Sequence, residues 1–297
     1  MSKMRRREFI CQAAGTVAVS LAWPGLAAGQ AAAPQTKLSG TTNRKLGKTG
    51  IECSLLGLGT GMRGWNGESD LTRKGRAAFM GMLEHVYGRG LTYFDLADMY
   101  GSHVYMRDAM KGPLDRDKVV ILTKTVSREA ELVRADLGRF RKELDTDSID
   151  IVLIHCLTEG DGPDWREKLR PCMDVLSEAK ERGTIRAHGV SCHNLDALRL
   201  AAETEWVDVI LSRINPFGVK MDGPVEEVAG VLRKAHDNGK GVLGMKIVGE
   251  GTLTDKIQES LRFVVGLGCV DAMPIGFLEP GEVDQVLDYI DALAATA

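Results

Sequence analysis

The chain has 297 residues, a formal net charge of −3, and 44% hydrophobic and 27% charged residues; such a length allows one large domain or two small ones. Lysine and arginine are scattered, with one basic cluster at the extreme N-terminus, so a nucleic-acid partner is not expected. The six cysteines form no C-x-x-C pair, which argues against a disulfide scaffold, a C-terminal iron–sulfur domain or a resident metal.

The chain opens with Arg5-Arg6-Arg7-Glu8-Phe9-Ile10, an alanine-rich apolar run from Ala13 to Ala28, and an Ala/Gln/Pro-rich segment to about Thr42. A basic start, an apolar middle and small residues describe a signal peptide, and the paired arginines resemble a twin-arginine export signal. Trp23-Pro24-Gly25 interrupts the run, so no stable membrane span is expected in the mature protein; an uncleaved anchor is the alternative. Residues 1–41 are therefore expected to be signal and linker, handled by the twin-arginine export machinery. The expected address is the periplasm or cell surface of a bacterium. The remaining cysteines, Cys53, Cys156, Cys172, Cys192 and Cys269, are odd in number and read as mostly buried thiols.

From Thr42 a short hairpin, Arg44–Leu46 and Ile51–Cys53, is joined by Gly47-Lys48-Thr49-Gly50. Alternating strands and helices follow. Strand one, Ser54–Leu58, leads to a glycine-rich loop and a helix over Lys74–Gly88, whose Phe79, Met82, Leu83 and Val86 recur at helical spacing. Strand two ends at Asp95, and a helix lies within His103–Met110. Strand three ends near Lys124, with Ser127 expected to cap a long amphipathic helix. Strand four ends at His155 and precedes a helix over Trp165–Arg182. Strand five is Ile185–Val190, with a helix from about Asn194, and strand six Val207–Ile214, with a helix over Pro224–Asn238. Strand seven is Gly241–Ile247, with a helix over Asp255–Leu267, and strand eight Ala272–Ile275, with a helix over Glu282–Leu293. Eight strand–helix units in about 250 residues predict an α/β fold, a (β/α)8 TIM barrel over 42–297 with an N-terminal β-hairpin. A doubly wound open sheet is the alternative, disfavoured because no strand is followed by a G-x-G-x-x-G turn.

Three successive strands deliver an ionisable residue at the carboxyl end: Asp95, with Tyr100 five residues on, then Lys124, then His155. In a barrel these ends share one face, where active sites lie. A free tyrosine, with pKa about 10, is a poor acid or base near neutrality. An ammonium group nearby would lower that value, and Lys124, itself paired with Asp95, is expected to do so. His155 can donate a hydrogen bond to a substrate oxygen. Together the four can protonate a carbonyl oxygen as it becomes an alkoxide. No side chain supplies a hydride, so a nicotinamide cofactor is implied.

The sequence resembles an aldo-keto reductase from Leu46-Gly47-Lys48-Thr49-Gly50 to the last helix. Asp95 and Tyr100 match that family's Asp-x-Ala-x-x-Tyr motif, Lys124 its strand-three lysine, His155 its strand-four histidine, and Ile185–Ser191 its strand-five motif. The resemblance implies a barrel reducing aldehydes or ketones with NADPH or NADH, Tyr100 being the general acid. It also implies that Gly59, Thr60, Ser191 and Cys192 contact the cofactor, with Cys192 in place of the family's asparagine. Arg213, Met245, Lys246 and Gly276 would complete that side; Arg213 replaces a glutamine and Met245 the usual stacking aromatic. Glu279 lies where the family often binds the NADP 2′-phosphate, so a strong NADP preference is not expected. Trp65 is a candidate to line the substrate pocket. As structural alternatives, Arg213 would pair with Asp208 or Glu250, Lys246 with a mouth carboxylate, and His188 and His193 would be packing residues. A redox-neutral sugar-type reaction with a tightly held nucleotide, and a non-catalytic ligand-binding barrel, are the alternative functions.

Overall fold

The computed structural model describes residues 38–294. The expected signal peptide therefore lies, up to residue 37, outside the described residues. Two short antiparallel strands, β1 (Asn43–Lys45) and β2 (Glu52–Ser54), form the expected hairpin, with Asn43 opposite Ser54 and Lys45 opposite Glu52. Gly47 turns the chain with φ +51°, and any Cβ there would strike the backbone around Gly239 and Lys240.

Eight parallel strands follow: β3 (Leu56–Gly59), β4 (Tyr93–Asp95), β5 (Val120–Thr125), β6 (Ile149–Leu157), β7 (Ile185–Cys192), β8 (Val209–Arg213), β9 (Gly241–Met245) and β10 (Met273–Ile275). They pair in sequence order, β10 returns to β3, and a parallel bridge between Leu243 and Ala272 closes the ring. Around it run α1 (Asp70–Arg73), α2 (Arg76–Gly88), α3 (His103–Met110), α4 (Ala130–Leu144) and α5 (Trp165–Lys168). The ring continues with α6 (Arg170–Glu181), α7 (Leu195–Glu203), α8 (Val225–Asp237), α9 (Ile257–Gly266) and α10 (Pro280–Ala294). This is the (β/α)8 barrel the strand–helix alternation predicts. Among the described residues no helix is long and apolar enough to cross a membrane.

Side chains alternate across a strand, and the core divides accordingly. Tyr93, Val120, Leu122, Ile151, Leu153, Val209, Leu211 and Leu243 pack together inside the barrel, with Leu46, Ile51 and Cys53 of the hairpin joining them. Ile121, Val152, Ile154, Val190, Ile210 and Val242 belong to the larger cluster shared with the helices. The hairpin thus plugs one end of the barrel. Every second residue continues the inner set upward, which aims Asp95, Lys124, His155, Ser191, Arg213 and Met245 at the opposite mouth.

Some helices depart from the expected boundaries. The first starts at Arg76, after Gly75 at φ +89°, and a short unexpected helix, α1, precedes it. The fourth breaks at Leu169, and α6 restarts with Pro171 in its first turn, where a missing N–H costs no hydrogen bond. Ser127 does not cap α4: the helix starts at Ala130, and the Ser127 hydroxyl instead donates to Asp136 at 2.7 Å. The fifth helix begins where expected, and Asn194 caps α7 by accepting the Ala197 N–H at 3.0 Å.

Candidate active site

The four strand-end residues converge. Lys124 is buried and donates to the Asp95 carboxylate at 2.6 Å and to the Leu96 carbonyl at 2.7 Å. Its ammonium lies 4.9 Å from the centre of the Tyr100 ring. The Tyr100 hydroxyl is 3.4 Å from His155 Nε2, and the two rings meet edge to face. Tyr100 comes from a 3-10 turn, Asp98–Tyr100, ended by Gly101 at φ +65°. That turn is tied to α4 through Arg139, which reaches Asp98 and Asp136 at 2.7 Å and Glu143 at 3.0 Å. The Thr60 hydroxyl donates to the Asp95 carbonyl at 2.9 Å, so Thr60 fixes the strand end and is fully buried.

Burial decides the protonation states. It pushes the Tyr100 phenol well above its usual range, and the Asp95 and Cys156 charges push the same way. The expected lowering by Lys124 is not found: burial is the larger effect, and the ammonium, 4.9 Å from the ring centre, is engaged by Asp95. Burial also raises the Asp95 carboxyl against the pull of Lys124, and lowers the Lys124 ammonium against the pull of Asp95. It drives His155 well below the imidazole range, with Lys124 adding to the effect. The site therefore presents a neutral phenol beside a neutral imidazole.

The expected cofactor residues fall into two groups. Ser191 and Met245 belong to the inner set, and Ser191 Oγ accepts the Cys156 N–H at 2.8 Å. Cys192, one residue on, faces outward into the helix layer and is fully buried there; strand alternation removes it from the site. Gly59 and Gly276 pack on each other, a Cβ on Gly59 lying 3.3 Å from the Gly276 nitrogen. Arg213 pairs with neither Asp208 nor Glu250. It donates to Asp222 at 2.8 Å and to His193 Nδ1 at 2.5 Å, while Asp208 takes Lys180 at 2.6 Å. Lys246, at φ +60°, pairs with Glu250 at 2.7 Å. Glu279 is ion-paired with Lys74. Trp65 is 72% exposed on a surface cleft of about 550 Å³ that it shares with Asp98, Val104 and Arg139.

His188 is a packing residue, stacked on Trp206 at 4.2 Å between centroids. His193 is not: its Nε2 lies 3.5 Å from Cys156 Sγ, and burial together with Arg213 lowers it to about 3. Cys156 at the mouth escapes a reading of the sequence, because it reaches there only through an irregularity in β6, where the pairing with β7 shifts between Ile154 and Leu157. Asp222 is likewise unheralded, since it lies in the loop after β8. His155 Nδ1 and Arg213 Nε are buried and lack a hydrogen-bond partner among the described residues.

The pattern of the Aldo/keto reductase family matches residues 55–265. The chain belongs to that family. Aldo-keto reductase YhdN of Bacillus subtilis is 28% identical over 231 residues, 72% of this chain and 64% of its own length. The NADH-specific methylglyoxal reductase of Escherichia coli is 26% identical over 239 residues, covering 71% and 69%. Aldo-keto reductase AKR11C1 from Bacillus halodurans shares the fold, with a TM-score of 0.67 at 17% identity over 84% of this chain and 90% of that one. The match thus spans a little under two thirds of YhdN.

Proposed function

We propose that this aldo-keto reductase family member reduces an aldehyde or ketone, or oxidises the corresponding alcohol, with Tyr100 as general acid or base. The observation that carries the reading is the Tyr100 hydroxyl held 3.4 Å from His155 Nε2 above the buried Lys124–Asp95 pair. A phenol kept protonated by burial is suited to giving its proton to an oxygen that gains charge. His155, kept neutral, offers an N–H to the same oxygen. Lys124, fixed by Asp95 and the Leu96 carbonyl, lies 4.9 Å from the centre of the Tyr100 ring and holds the strand end and that ring in position.

The residues at the mouth fit a nicotinamide. Met245 offers an apolar surface, Ser191 a hydroxyl, and His155 Nδ1 and Arg213 Nε are polar atoms without partners. NADPH or NADH, when bound, would supply the hydride that no side chain can. Lys74 offsets the Glu279 charge, so Glu279 alone does not decide between them, and relatives carry both an NADP(+) and an NADH-specific name. We also infer export: the Arg5-Arg6-Arg7 start supports a twin-arginine signal and a periplasmic or cell-surface address, and the five described cysteines are all unpaired, as suits folding before export.

The test is direct. The full chain is mixed with NADPH or NADH and a panel of aldehydes and ketones, and reduced-nicotinamide absorbance is followed. Carbonyl-dependent loss of absorbance, with alcohol formed in equal amount, is expected. Tight nucleotide binding with no oxidation by any carbonyl would contradict the reading.

A further inference from the structure

The irregularity in β6 has a chemical result. Alternation would send one of two consecutive residues to the mouth and its neighbour outward, but the pairing shift between Ile154 and Leu157 changes that. Cys156 adopts φ +54°, a left-handed conformation in a residue that is not glycine. Its N–H donates to Ser191 Oγ of β7 at 2.8 Å, and the His193 N–H, just past β7, donates to the neighbouring Leu157 carbonyl at 2.7 Å. Backbone strain held in place by surrounding bonds marks functional positions. Here it brings His155, Cys156 and His193 together, and one nitrogen or sulfur from each lies within 4.8 Å of the others.

From these residues the geometry points to a three-ligand site for a thiophilic divalent cation, zinc(II) or cobalt(II), at the barrel mouth. Zinc bonds of about 2.3 Å to sulfur and about 2.0 Å to nitrogen set neighbouring donors roughly 3.5 Å apart in a tetrahedron. Cys156 Sγ and His193 Nε2 are 3.5 Å apart. Two imidazoles and a thiolate form a borderline-soft donor set that suits such ions over magnesium or calcium. Three protein ligands leave a fourth position open, the arrangement of accessible rather than structural metal sites.

The surrounding charges do not forbid a dication. Lys124 is paired with Asp95 at 2.6 Å, Arg213 with Asp222 at 2.8 Å, Lys246 with Glu250 at 2.7 Å and Arg128 with Asp161 at 2.6 Å. Each cation carries its own counter-charge. The one obstacle is Arg213, which donates to His193 Nδ1. Guanidinium has no acceptor, so the His193 proton must sit on Nε2, the atom a metal needs bare. Arg213 is therefore a latch: the ion binds when the guanidinium leaves Nδ1, keeping Asp222 as its partner. Resting on the carbonyl-reductase reading, occupation also switches the enzyme off, because it takes His155 away from the substrate oxygen.

The experiment uses the full chain stripped with a chelator and titrated with cobalt(II) under reducing, anaerobic conditions. A thiolate-to-cobalt charge-transfer band saturating at one equivalent is expected. It should vanish in Cys156→Ser and persist in Cys172→Ala, whose thiol lies in the helix layer. Arg213→Gln supplies an acceptor for the His193 Nδ1 proton and should tighten cobalt binding roughly tenfold. No saturable band in the wild type, or an unchanged band in Cys156→Ser, overturns the site; weaker binding in Arg213→Gln overturns the latch. Circular dichroism confirms that each variant is folded. The band is read without turnover, so its failure leaves the reductase reading standing, and failure of that reading leaves the band interpretable.

Discussion

Gly61 lies flat against the ring of Tyr100, so close that a Cβ there would fall 2.2 Å from Cζ and Cε2. Gly64 presses on the same ring, with a Cβ placed 2.4 Å from Cδ1. The glycine-rich loop after β3 is thus shaped to leave room for the proposed acid. Gly61→Ala should move the phenol, costing about 1–3 kcal/mol in stability by overpacking and more than roughly tenfold in turnover by misplacing the reacting group. Steady-state kinetics beside a thermal melt would show it; unchanged turnover in a folded variant would separate the loop from the site.

The Lys124–Asp95 pair is expected to serve the chemistry at the expense of the fold. Burial raises Asp95 and lowers Lys124, so both resist being charged where they sit. Lys124→Met alone leaves a buried carboxylate and should destabilise by about 3–5 kcal/mol, whereas Lys124→Met with Asp95→Asn should be near neutral or stabilising. Both should lack turnover. Chemical denaturation of the two variants and the wild type decides it, and a double variant less stable than the single one would contradict the account.

The pH dependence follows from two directions of shift. His155 titrates well below its usual range and Tyr100 well above its own. Neither changes charge between about pH 5 and 8, so turnover in carbonyl reduction should be flat there, measured with a chelator present. Alcohol oxidation needs the phenolate and should rise with pH across the same window. A limb near pH 6.5 in the reduction profile would mean that a histidine titrates in the step.

Much of this site is legible in the chain itself. Asp95, Lys124 and His155 end successive apolar runs, and a barrel brings such ends to one face. Strand alternation through β7 also turns Cys192 outward beside an inward Ser191. Other features are not readable by periodicity. Cys156 reaches the mouth through a pairing shift, which depends on how β6 sits against β7. Arg213 finds Asp222 in the loop after β8, where no pattern marks a partner. The direction of the Tyr100 shift is not legible either, because a nearby charge can be read from sequence, whereas complete burial, the larger effect, cannot.

His103 joins α3 to the barrel and to α4, with Nδ1 2.7 Å from Glu143 and Nε2 2.7 Å from Thr123. The His103 ring, with Arg139 assisting, holds the Glu143 carboxyl below its ordinary range. A carboxyl depressed in the fold contributes stability above its unfolded value of about 4.3, and that contribution is lost as pH falls through the folded value. Glu143→Gln should therefore cost about 1 kcal/mol at neutral pH, after allowing for solvent screening. The difference from wild type should close below about pH 4. Denaturation midpoints across that range check both size and sign; a gap that widens on acidification would contradict the pairing.

Tyr100 is proposed to give and take the proton. The decisive measurement is a comparison of wild type and Tyr100→Phe, with NADPH and NADH binding titrated by fluorescence and hydride transfer followed in a single turnover. With Tyr100 as the acid, nucleotide affinity should stay within about threefold of wild type and the transfer rate should fall by at least about a hundredfold, the scale of general acid catalysis. A variant that binds nucleotide and still transfers hydride at more than a few per cent of the wild-type rate would show that another group is the acid.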